Sequence, residues 1–189
     1  MANDVKGAAC RALLDAAKAL LPTRAPSTVS GRELAAEAGV NYGLVHHYFG
    51  GKDAAFREAM LELRAEFLAK HAEHDLPVLL FEPDDPFVLA VARTQIGDPD
   101  LVGFDEFPIG EAMVDAISRR VRAADPTRTD DEITTEAKAR AIALLGLQIA
   151  YSVYNTMLFE TTGVTRRERA TVEATLGRLY GEIGVSARR

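Results

Sequence analysis

The sequence has no tryptophan and one cysteine, Cys10, so it can form no internal disulfide. A lone thiol fits a reducing compartment. Cys10 stands in an alanine-rich helical pattern and reads as a small buried hydrophobe. Strand signals are also lacking: alternating apolar and polar runs are missing, and helical spacing recurs instead. No apolar run approaches the roughly 18 residues of a membrane span. Asp4 and Lys6 precede an amphipathic pattern, unlike a signal peptide. These absences lead to the expectation of a cytoplasmic protein with no membrane partner. Nothing resembles a nucleophile–base set, a phosphate loop or a carboxylate pair, so no catalytic residue, cofactor or metal is expected.

Positive charge is scarce. The net charge is −6, which taken whole argues against nucleic acid. Its distribution says otherwise. Residues 1–57 hold Lys6, Arg11, Lys18, Arg24, Arg32, Lys52 and Arg57 against Asp4, Asp15, Glu33, Glu37 and Asp53, a net of +2, which leaves −8 for the rest. A polyanion would be held by the head.

What is present is a series of amphipathic helices. Val5, Ala9, Leu13, Ala16, Ala17 and Leu20 form the stripe of a first helix, ended by Pro22 and Pro26. Ser30 and Glu33 form a capping box for a second, with Leu34, Ala35 and Ala38 as its buried face and Gly39 as its stop. Asn41 is an N-cap for a third, Tyr42 to Phe49. Gly50 and Gly51 close it, and Lys52 opens a fourth to about His74. Asp85 and Pro86 start a helix to about Gln95. Another spans about Ile109 to Ala124. Thr129 with Glu132, and Thr165 with Glu168, start long helices to about Thr161 and Ile183. The chain is therefore expected to be all-α. His71 and His74 read as a solvated helix end, the acidic Glu82–Pro86 turn as a cap at Asp85, and Arg166, Arg167 and Arg169 as a solvated face.

The second and third helices are too short to stand alone and need packing by neighbours. Two such helices after a longer one match a helix-turn-helix, whose second short helix enters the major groove. Val45 and Phe49 can anchor that helix inward. Tyr42, His46 and part of His47 then face outward, and Gly43 lets the backbone come close to DNA.

The stretch "TVSGRELAAEAGVNYGLVHHYFGGKDAAF" resembles the DNA-binding domain of TetR-family transcriptional regulators. The resemblance rests on Leu34-Ala35, Ala38-Gly39-Val40, Asn41, Gly43, Val45, Tyr48-Phe49 and Lys52-Asp53. It implies a helix-turn-helix domain over residues 1–51 and a helical effector-binding and dimerisation domain over 52–189. It also implies DNA contacts by Thr28, Ser30, Asn41, Tyr42, Gly43, His46, His47, Tyr48 and Lys52. His46 departs from the family's tyrosine, Gly51 from its Ser/Thr cap, and the third helix carries no Lys or Arg.

The family's last two helices form a homodimer, and its middle helices enclose a small-molecule pocket. Ile142, Leu145, Ile149 and Val153 form one stripe here. Val172, Leu176, Leu179 and Ile183 form another, expected at the dimer interface. Gln148, Tyr151, Tyr154 and Asn155 interrupt the apolar pattern and suit a pocket or the interface equally. With Phe104 and Met113 they are the candidate effector residues. The expected partners are a near-palindromic double-stranded operator, a second copy of the chain, and a small apolar or amphipathic effector. The expected function is a repressor released by that effector. The alternatives are a constitutive DNA-binding protein and a helical enzyme or metal-binding protein with a helix-turn-helix-like start.

Overall fold

A computed structural model describes residues 2–72, 81–101 and 109–185. Among them are eight α-helices, one 3₁₀ turn and no strand. The helices are α1 (Ala2–Leu20), α2 (Gly31–Glu37), α3 (Gly43–Phe49), α4 (Lys52–Lys70), α5 (Pro86–Gly97), α6 (Ile109–Ala124), α7 (Asp130–Thr162) and α8 (Arg169–Val185), with the 3₁₀ turn at Pro26–Thr28. The chain packs as two compact units, Met1–Lys70 with Asp84–Gly103, and His71–Pro83 with Phe104–Arg189.

In the first unit α1 packs against α2, α3 and α4. Its buried residues are Leu13, Leu14, Ala16 and Ala17. Leu34 and Ala35 of α2, Val45 of α3, and Ala55, Phe56, Ala59 and Met60 of α4 are likewise buried. Cys10, expected inside, is only half-buried, and Leu13 is the first buried residue described on α1. Helix α4 ends at Lys70, earlier than expected, and His74 lies outside the described residues. His71, expected at a solvated helix end, is buried.

Local signals set the short helices. Ser30 Oγ accepts from the Glu33 amide, and the Glu33 carboxylate accepts from the Ser30 amide at 2.8 Å. Those hydrogen bonds to the Ser30 amide and hydroxyl, helped by Arg24, hold the Glu33 carboxyl down at about 2. A carboxyl depressed in the folded chain stabilises it above the unfolded value, and that contribution is lost as pH falls through the folded value. Ser30→Ala should therefore cost about 1 kcal/mol in denaturant unfolding. The stability gap between wild type and Glu33→Gln should close as pH falls from about 4.5 to about 2. Gly39 and Gly50 stop α2 and α3 in the left-handed region, at φ +65° and +75°.

Helix α5 completes this unit. Asp85 caps it through the Phe87 amide and also accepts from Lys70, while Phe87 stacks on Phe67 of α4. Its far end reaches the loop before α2. Arg93 Nε donates to the Pro22 carbonyl at 2.7 Å, and the Asp98 carboxylate accepts from the Ser27 amide at 2.6 Å. Between them Gly97 lies so close to Ala25 that a Cβ on it would stand 2.5 Å from the alanine methyl.

The second unit is built on α6, α7 and α8. Met113, Ile117 and Val121 of α6 meet Ile133, Ala137, Ala141 and Leu144 of α7, and Tyr180 of α8 closes the cluster. The Thr129–Glu132 box starts α7, and Gly163 ends it at φ +72°. The Thr165–Glu168 pair is one-sided. Glu168 accepts from the Thr165 amide and hydroxyl, and the Glu168 amide turns to the Thr165 carbonyl, so α8 begins only at Arg169. By length and hydropathy α7 could span a membrane, a test that core helices of soluble proteins also pass. Here α6 and α8 pack on it.

Candidate nucleic-acid interface

Helix α3 is divided as a reading helix should be. Val45 is fully buried, whereas Tyr42, Gly43, His46 and His47 are exposed. Phe49, expected as core, is half-buried, as is Tyr48, because the helix ends there and the rings pack on one another. His47 meets Tyr48 at 4.9 Å and Tyr48 meets Phe49 at 6.5 Å between centroids. Asn41 Oδ1 accepts from the Gly43 amide at 2.8 Å, as a helix start requires. That bond places Asn41 at the start of the helix with its acceptor already engaged.

Tyr42 is held on three sides. Gly31 of α2 lies beneath its ring, where a Cβ would stand 2.8 Å from Tyr42 Cε2. The Arg32 guanidinium lies 5.8 Å from the ring centroid, within cation–π range. The Tyr42 hydroxyl meets His46 Nε2 at 2.9 Å, and His46 Nδ1 meets the Gly50 carbonyl at 3.1 Å. The tyrosine ring is thus held in place by the chain itself, which lowers the ordering cost of any contact it makes.

Lys52 opens α4 beside this face. Its ammonium donates to the Pro26 carbonyl and to Asp53, both at 2.9 Å. An ammonium has three donors. Among the described residues Lys52 spends two, on tying the 3₁₀ turn to α4. Thr28 Oγ1 donates to the Ala25 carbonyl, and the Ser30 hydroxyl is engaged in its cap. Both residues are exposed beside the turn.

The body residues divide differently. Met113, Gln148 and Tyr151 are buried in the second unit. Tyr151 donates to Glu173 of α8 at 2.9 Å, and Gln148 Oε1 is buried with no hydrogen-bond partner among the described residues. The Tyr151–Glu173 bond gives that hydroxyl a partner within its own chain. Tyr154 is exposed, Asn155 is half-buried, and Phe104 lies outside the described residues. Of the proposed dimer stripe only Leu179 is exposed. Val172, Leu176 and Ile183 are half-buried, and Ile183 packs on the cluster around Tyr180. Ile142 is the most exposed large apolar residue described, at 71%. Tyr180, at four residues from Leu176 and three from Ile183, is the buried member of this helix that the apolar stripe does not include, and its spacing is the signal for it.

A capped short helix, a glycine turn, and a second short helix with a buried stem and a polar aromatic outer face define a helix-turn-helix DNA-binding protein. Residues 13–59 match the family model described as bacterial regulatory proteins, tetR family. The HTH-type transcriptional regulator BetI of Brucella abortus (strain 2308) is 29% identical over 146 residues, covering 70% of this chain and 71% of that protein. The HTH-type transcriptional repressor Rv3405c of Mycobacterium tuberculosis (strain ATCC 25618 / H37Rv) is 28% identical over 156 residues, covering 81% and 77%. No solved structure gives a significant match. Residues 13–59 thus carry a DNA-binding domain of the tetR type, and along most of its length the chain is similar to DNA-binding transcriptional regulators.

Proposed function

We propose that the chain is a repressor whose α3 lies in the major groove of a near-palindromic operator. The observation that carries this reading is the division of α3, with Val45 buried and Tyr42, Gly43, His46 and His47 exposed. Tyr42 and Gly43 face base edges. His46, His47 and Tyr48 face bases or phosphates, and Lys52, Thr28, Ser30 and Asn41 face the backbone. A homodimer sets two such helices about one turn of DNA apart, ~34–36 Å. The effector is a small apolar or amphipathic molecule held in the second unit near Met113, Gln148 and Tyr151. Its release of DNA requires tighter binding to the state that cannot dock. Gln148 Oε1, which has no partner among the described residues, supports a ligand with a hydrogen-bond donor, since an unmet buried acceptor is costly. The name of the mycobacterial relative supports repression.

Lys52→Ala tests the docking. Its remaining donor suits a phosphate, so the variant should bind all sequences more weakly and lower the magnitude of the salt slope by about one for each half-site. Gel shifts across a salt series measure this. Wild-type affinity with an unchanged slope would remove Lys52 from the interface.

A further inference from the structure

The tautomer of His46 follows from its partners. A carbonyl can only accept, so the 3.1 Å contact with Gly50 requires the proton on Nδ1. In the neutral ring Nε2 then carries the lone pair, and the 2.9 Å contact with Tyr42 is an O–H donated by the tyrosine. The phenol has one proton, and it is spent inward. What Tyr42 offers to DNA in this state is an acceptor.

Protonation inverts the contact. When His46 takes a proton from solvent at Nε2, that N–H donates to the Tyr42 oxygen. The hydroxyl proton is released and rotates outward. Tyr42 now offers a donor from the same position, since its ring is held by Gly31 and Arg32.

Base edges in the major groove differ in this respect. Adenine and cytosine present amino donors there, and guanine and thymine present keto acceptors. We infer that His46 sets the hydrogen-bonding polarity of Tyr42, so that the operator base facing Tyr42 is an amino base when His46 is neutral and a keto base when it is charged. His46 is a positioning residue in this scheme, and the inference rests on the proposed docking of α3 in the major groove.

The surroundings of the pair are defined. From α2, Arg32 lies over Tyr42, and Glu33 is held by Ser30 and Arg24. From α4, Lys52 and Asp53 are paired with each other. From α1, Arg11 and Asp15 pair together, and Arg11 and Lys18 pair with Glu62 and Glu66 of α4. On α3 itself the other imidazole, His47, meets the Tyr48 ring edge-on instead.

The test is selection of bound duplexes from a randomised double-stranded DNA pool by the full-length protein, at about pH 8 and about pH 5.5, either side of the usual histidine range. Wild type should shift at one base pair per half-site from A or C to G or T, with the ratio changing roughly five- to tenfold, the worth of one hydrogen bond. His46→Leu should abolish the shift, Tyr42→Phe should lose the preference at both pH values, and His47→Gln should retain the shift. Gly31→Ala, which displaces the ring, should weaken it with His46 intact. A purely structural His46 would change affinity in the leucine variant but would give wild type no exchange of bases. The same selected base at both pH values, or a shift that survives His46→Leu, overturns the inference. Selection of no sequence by wild type at either pH would instead overturn the docking on which it rests.

Discussion

Replacing Ile142 and Leu179 together by aspartate should leave the chain folded and remove its grip on the operator. Ile142 is 71% and Leu179 42% exposed in the single chain, so the new carboxylates meet water and cost the fold little. Both lie on the surface of the unit formed by α6, α7 and α8. Leu179 lines an open groove between α7 and α8 with Ala139, Ala143 and Ile183, flanked by Glu136, Arg140 and Glu182. TetR-family regulators act as dimers, and this face is the one we assign to the partner copy. A two-fold interface would bury four aspartates at once, without partners, which is strongly unfavourable. Each head carries only +2 and no Lys or Arg on α3, so a half-site alone holds it weakly. Losing the second head should weaken operator binding by on the order of 10²–10⁴-fold. Sedimentation velocity, circular dichroism and a footprint measure the three parts. A folded monomer that still protects both half-sites at wild-type concentration would contradict this assignment. Leu176, which the sequence pattern also offers for such a test, is half-buried, and a charge there would threaten the fold itself.

Tyr180→Ala should be the most damaging single truncation in the second unit. Its ring is 1% exposed, lies 5.4 Å from Phe81, and joins the cluster of Met113, Ile117, Ile133 and Leu144. Burial pushes its hydroxyl well above the usual tyrosine range, so the group stays neutral at every pH at which the chain is handled. Removing so large a buried ring should cost about 3–5 kcal/mol, a large share of the roughly 5–15 kcal/mol that holds a typical domain folded. Urea unfolding followed by circular dichroism would read this. A loss below about 1 kcal/mol would mean that the cluster collapses around the gap or that Tyr180 is not at its centre.

The parts of the fold that were legible in the sequence are those written in neighbouring residues. The Ser30–Glu33 and Thr129–Glu132 boxes, the Asp85 cap, the glycine stops at Gly39 and Gly50 and the span of α6 all depend on contacts within one turn. The division of α3 was legible for the same reason, since Val45 and Tyr42 differ by a fixed rotation on one helix. Contacts between distant segments left no such signature. Tyr151 with Glu173, Arg93 with Pro22 and Asp98 with Ser27 pair residues that nothing local connects. The Tyr42–His46 bond is the intermediate case. Its four-residue spacing is visible in the sequence, but a pattern that sends both side chains outward does not say that they meet each other. The split of the dimer stripe had a different cause. A helix in a bundle is apolar on more than one side, and periodicity cannot say which side faces its own chain.

The hold of α5 on the loop before α2 bears on how such regulators can be recombined. A graft that moved only residues 1–51 onto a foreign body would carry the reading helix without the carboxylate that satisfies the Ser27 amide or the guanidinium on the Pro22 carbonyl. It would also leave behind α4, on which α1 and α3 pack, and part Ala25 from Gly97. The portable module is therefore discontinuous, α1 to α4 plus a helix that returns from later in the chain. Exchange of operator specificity between relatives is better done by replacing the outward residues of α3 in place than by moving the head whole.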